Sequence, residues 1–297
     1  MSKSKRCVHC GTETTEITMD HVFPASWYPA NTPSNMNRWT VPSCRRCNGV
    51  LGKKEKELFA RLAMCVDPRK AEAAGLSAKA LRSMGIGTEG LDDKEYAHRR
   101  ALMQKVLGSA RPYQPGTETL PGLGPHPGFP EDQQMAVSIP ADLVEAVTEK
   151  IVCGSEYALM KRIVDEPYDV RVYFVQDQNV PEVLVQALQG PAAQSEHLGP
   201  GFRLLRIAPR DEPNTVIYKI TIWDTFVFFG AIMAHESPEV VLGRTDESQL
   251  LPGGPQTAPT SSKVGVSAFA LFRAVAVVAL LGLGLSWVLM VSRAKSR

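Results

Sequence analysis

Two Cys-x-x-Cys pairs near the N-terminus constrain this chain more than any other feature. They are Cys7-Val8-His9-Cys10 and Cys44-Arg45-Arg46-Cys47. Four thiolates so spaced can close a tetrahedral zinc shell and pin two distant pieces of chain together. With Cys7, Cys10, Cys44 and Cys47 all bound, the ion has no open position for water, so this Zn2+ is structural. His9 lies inside the first knuckle, is not needed as a ligand, and is expected to be exposed. Short β segments are expected around Glu16 to Val22 and Trp39 to Pro42. A helix should start near Arg45 and run through Leu58 to Met64.

Between the pairs lies Asp20-His21, and Asn48 directly follows the last cysteine. A carboxylate, an imidazole and a carboxamide are the groups a metal-dependent phosphodiesterase needs: hard oxygen ligands and a base. The stretches CVHCG, TMDHVFPAS, NRWTVPSCRRCN and KKEKELFARL together resemble the HNH endonuclease family, the zinc-bound ββα-metal type, over residues 7 to 59. The resemblance implies Asp20 and Asn48 as ligands of a catalytic Mg2+ or Mn2+, and His21 as general base. It also implies a middle residue that orients the base. Asn37 is the nearest candidate, with Asn31 and Asn35 in the same loop, while Trp39 stands where that Asn commonly falls. Lys53, Lys54 and Arg45 are candidate phosphate contacts, a solvated helix face being the competing reading.

Net charge over the 297 residues is +2, so the whole chain is no general nucleic-acid binder. Cations cluster locally instead, with Arg38, Arg45, Arg46, Lys53, Lys54, Lys56 and Arg61 outnumbering the acids around the motif. Two further cysteines, Cys65 and Cys153, sit in apolar settings and read as buried small hydrophobes. Charge without an apolar run marks the N-terminus, so no signal peptide is expected, and reduced thiols suit a cytoplasmic body.

The expected class is α+β. A ββα-metal module (1–66) is followed by a helical extension (67–108), a Pro/Gly-rich linker (109–134) and a second α+β region (135–235). In that region Pro140 to Met160 has a helical pattern, and Val170 to Val175, Phe202 to Ile207, Val216 to Ile222 and Phe226 to Met233 read as strands. Its helix contains Lys150, Ile151, Gly154 and Tyr157, a run that resembles the region after the nuclease unit in some free-standing HNH proteins. A polar tether (236–263) then leads to an apolar segment (264–292). There 274–291 is 18 residues without a charge, about 27 Å of helix at 1.5 Å per residue. That length nearly spans a hydrocarbon core, so a C-terminal transmembrane helix is expected, anchoring a cytoplasmic nuclease to the membrane.

The resemblance thus implies an endonuclease acting on DNA, with RNA as a possible substrate. The competing reading is a zinc-bound nucleic-acid-binding module without catalysis.

Overall fold

The computed structural model describes residues 4–115, 130–173, 193–209, 215–234, 269–273 and 286–292. The N-terminal unit opens with β1 (Lys5–Arg6) and β2 (Glu13–Thr14), a minimal ribbon that carries the first cysteine knuckle at its turn. Next come β3 (Ile17–His21) and β4 (Thr40–Cys44), paired antiparallel with Asp20 opposite Val41 and His21 opposite Thr40. Helix α1 (Arg45–Ala63) leaves β4 without a linker. Its N-cap is Cys44, whose Sγ accepts from the Cys47 amide at 3.4 Å. A sulfur thus takes the part usually played by a Ser, Thr or Asp oxygen. The ββα expectation over this stretch is met within a residue or two.

The helical extension is also present, as α2 (Leu76–Ser83) and α3 (Asp93–Leu107). Asp92 caps α3 by accepting from the Glu95 amide at 2.7 Å. Beyond it, β5 (Ala110–Pro112) and β6 (Gln134–Pro140) pair antiparallel, and β6 runs straight into α4 (Ala141–Met160). The linker expected over 109–134 therefore holds strand at both ends, while 116–129 lies outside the described residues. A five-stranded antiparallel sheet follows, in the order β7-β11-β10-β9-β8. Its strands are β7 (Tyr168–Tyr173), β8 (Ala193–His197), β9 (Arg203–Ile207), β10 (Val216–Ile222) and β11 (Phe226–Ala234). Four of the five fall where β-branched and aromatic residues predict them.

A single core joins these segments. The loop after β3 drives Phe23, Trp27 and Tyr28 between the N-terminal unit and the five-stranded sheet. The Trp27 ring packs, tilted, 6.4 Å from Phe59 of α1 and 5.8 Å from Trp223, and the Trp223 indole donates to the Trp27 carbonyl at 2.8 Å. Trp223, Asp224 and Thr225 join β10 to β11; the first two have φ of 53° and 47°, and the Thr225 amide donates to the Ile222 carbonyl at 3.1 Å. Helix α4 lies between α1 and the sheet, and two glycines let it approach closely. A Cβ on Gly154 would come within 3.1 Å of Val22, and one on Gly230 within 2.6 Å of Val152. Arg61, buried in α1, donates to the Ser109 hydroxyl at 2.9 Å and to the Ser138 carbonyl, tying α1 to β6.

The C-terminal expectation needs correction in part. Where described, the segment is extended rather than helical: β12 (Phe269–Arg273) and β13 (Ser286–Ser292) pair antiparallel, and β13 runs parallel to β6. A sequence rich in Val and Trp, as 286–291 is, suits a strand as readily as a membrane helix. Among the described residues, no helix is long and apolar enough to cross a membrane. Residues 274–285 and the expected tether at 236–263 lie outside the described residues.

Candidate active site

The four cysteines come together as their spacing predicts. Their sulfurs all lie within 4.8 Å of one another, with Cys10 and Cys44 at 4.0 Å. A tetrahedral ion with Zn–S bonds of about 2.3 Å needs sulfurs about 3.8 Å apart, so the cluster suits one metal ion such as zinc. Backbone amides turn toward it: Cys44 N–H donates to Cys7 Sγ at 3.3 Å. Four thiols this close cannot all ionise independently. Burial, with Cys44 and Cys10 adding to it, pushes Cys47 up. Against the effect of its own burial, hydrogen bonds from Thr12 draw Cys10 down to about 7. A bound cation relieves that repulsion.

Next to the cluster, β3 carries Asp20 and His21 on opposite faces. Asp20 is 7% exposed, and its face is shared by Thr18. The Asn48 side chain, from the first turn of α1, donates its amide to Thr18 Oγ at 2.9 Å. That hydrogen bond fixes which end of the carboxamide points away, and it leaves the carbonyl oxygen clear of Thr18. Thr18 and Asp20 are two residues apart on one strand, about 7 Å. Through Thr18, Asn48 thus comes to the β3 face that carries Asp20; both side chains bring hard oxygen, the donor type that Mg2+ or Mn2+ takes, while Lys150 and His9 already meet the two Asp20 oxygens.

Three residues that the sequence alone does not assign complete the charge balance around Asp20. Lys150, from α4, has its side chain fully buried and places its ammonium 3.0 Å from Asp20 Oδ1. The same ammonium donates to Glu55 of α1. On the other side, His9 Nε2 faces Asp20 Oδ2 at 3.3 Å, with the His9 side chain only 5% exposed. The expectation that His9 is exposed is thus overturned, because the first knuckle folds it inward against β3. Burial alone would raise the Asp20 carboxyl, but His9 and Lys150 outweigh it and hold Asp20 below the usual carboxylate range. For Glu55 burial wins over the same lysine, and its carboxyl lies above that range.

His21 is half-buried at the end of β3. Burial lowers its pKa below the ordinary imidazole value, Asp20 opposes this, and Arg38 and Lys150 add to the lowering. Arg38 itself lies over the Tyr28 ring at 4.8 Å. In the loop leading to β4 it is thus Arg38 that acts electrostatically on the histidine, whereas its neighbour Asn37 is exposed.

The remaining candidates disperse. Lys53 is exposed on α1. Lys54 turns to the start of α4, donating to the Asp142 carbonyl at 3.4 Å. Arg45 lines a cavity of about 600 Å³ between the cysteine knuckle, the first two turns of α1 and the middle of α4, and His9 and Lys150 also reach it. Glu55 falls two helical turns after Asn48 and shares its face, but that spacing alone assigns it no role. Lys150 belongs to the Lys-Ile-x-x-Gly-x-x-Tyr run, whose spacing alone assigns it no role. Comparison with protein-family models, curated proteins and solved structures finds no match to this chain.

Proposed function

We propose that the chain is an HNH-type, metal-dependent endonuclease that hydrolyses phosphodiester bonds in DNA. One observation supports the reading: the Asn48 carboxamide bonds to Thr18 on the β3 face that also carries Asp20, in a ββα unit beside a four-sulfur cluster, with His21 next in sequence. The four sulfurs would hold a structural Zn2+, and Asp20 with the Asn48 carbonyl would hold Mg2+ or Mn2+. When bound, that second ion supplies charge relief at the phosphorus and the leaving oxygen.

The protein's own groups do the rest. His21, kept neutral by its lowered pKa, takes the proton of the attacking water as the oxygen–phosphorus bond forms. The bond from phosphorus to the leaving 3′ oxygen breaks, and that oxygen is protonated from solvent. Lys150 and His9 keep Asp20 ionised, and Glu55 holds Lys150 in place from α1. Arg38 stands where it can meet a phosphate approaching His21.

Supercoiled plasmid incubated with the purified, zinc-loaded chain tests this. Relaxed or linear product that requires Mg2+ or Mn2+ and disappears in His21→Ala supports it. Intact plasmid from a folded sample that still shifts DNA on a gel would favour the non-catalytic binding module, and preference for RNA in competition would favour an RNase. Attachment to a membrane, with the nuclease on its cytoplasmic side, belongs to the proposal on the hydropathy of 274–291 alone. A spanning helix and the β13–β6 pairing exclude each other, so recovery of the intact chain in the soluble fraction would remove the membrane from this reading.

A further inference from the structure

A second crevice, of about 420 Å³, opens between α1, α2 and α3. Its lining includes Lys56 of α1, Lys79 and Arg82 of α2, and His98 and Arg99 of α3. Glu95 is the one carboxylate among the lining residues, and Arg99 already pairs with it at 2.7 Å. Neither Lys56 nor Arg82 makes a salt bridge among the described residues, and both are exposed. Like charges gathered along one crevice raise the free energy of the bare protein unless something anionic shares the space.

The crevice connects to the candidate active site through Tyr28. Lys79 donates its ammonium to the Tyr28 carbonyl, while Arg38 covers the ring of the same residue. Burial lowers the Lys79 pKa, and Arg38 and then Arg82 lower it further, so Lys79 feels a cation on either side. Arg38 also acts on His21. A line of positive charge therefore runs from His21 through Arg38 and Lys79 to Arg82 and Lys56. It draws on the helical extension, outside the cysteine-bound unit.

We infer that this crevice receives the phosphodiester backbone of the nucleic acid next to the bond placed at His21. The inference rests on the nuclease reading for its direction, but the interaction itself is electrostatic and reads phosphates, not bases. Sequence-independent backbone binding of this kind would set where a substrate lies while leaving its sequence unread.

Fluorescence anisotropy of a fluorescein-labelled DNA duplex, titrated with the full zinc-loaded chain over a series of salt concentrations, tests it. The double variant Lys56→Ala/Arg82→Ala should bind roughly tenfold more weakly at low salt, and the salt slope should fall by about 2, one for each phosphate that is no longer neutralised. Lys56→Arg/Arg82→Lys, which keeps the charges, should restore both, and Arg171→Ala on β7 should leave both at the wild-type values. If plasmid cleavage is active, KM rises in the double variant and kcat is retained. Unchanged affinity and slope in a folded double variant overturns the crevice as a backbone site and leaves any observed cleavage standing. Altered slope in a chain that never cuts retains the crevice and sinks the nuclease reading. Failure of the wild-type chain to bind duplex overturns both.

Discussion

The Lys150 ammonium lies 3.0 Å from the Asp20 carboxylate, although the two residues are 130 positions apart. Lys150 is buried with two carboxylates around it, so it cannot be removed quietly. Lys150→Met leaves the buried Asp20 and the part-buried Glu55 without their cation, a change that costs about 3–5 kcal/mol in comparable buried pairs. Urea unfolding should show a lowered midpoint. A midpoint equal to wild type would mean that solvent reaches the pair.

Cleavage should follow the ionisation of His21. Only the neutral imidazole accepts a proton, and burial with Arg38 and Lys150 moves its pKa below 6.5. The sign is therefore fixed: the rate rises with pH, reaches half its maximum below 6.5 and gains nothing further between neutral pH and 8. His21→Ala should lower the rate by about 10²–10⁴. A profile still climbing above neutrality would show a different base.

Cys44 is at once a cluster sulfur and the cap of α1. Cys44→Ala should abolish zinc retention and unfold the N-terminal unit, because binding of a structural zinc is worth on the order of 10 kcal/mol in small modules. Metal analysis together with circular dichroism reads both effects. Retention of one zinc per chain with native helicity would place the ion elsewhere.

Gly154 gives α4 its close seat on Val22, the residue after His21. Gly154→Val forces α4 away from β3 and should destabilise by about 1–3 kcal/mol. Because the displaced helix carries Lys150, kcat should fall more than KM rises. Equal thermal melting of variant and wild type would argue against the packing.

How much of this is legible in the sequence depends on the range of each interaction. Cys7, Cys10, Cys44, Cys47 and the Asp20-His21 step announce themselves locally, and so do β9, β10 and β11, whose residues are rich in Leu, Ile, Val and Phe. Strand β8 (AQSEH) carries no apolar residue larger than alanine, and its neighbour β9 assigns it, not its own composition. Lys150 and Glu55 escape such a reading because their meaning arises only when α1 and α4 pack together. Arg38 is hidden behind Asn37 beside it, since a motif pattern marks a position but does not say which neighbouring charge acts on the histidine. For 286–292, hydropathy records a wish to leave water and is silent on whether lipid or a neighbouring strand takes it up.

The packing of Trp27 against Trp223 bears on inheritance. An N-terminal unit whose aromatic residues are covered by a turn nearly two hundred positions downstream is no longer an exchangeable cassette. Grafted onto an unrelated partner, it would present Phe23, Trp27 and Phe59 to water and self-associate. Recombination that swaps such a unit alone is thereby penalised, and the N-terminal motif and the C-terminal sheet are held to a common descent.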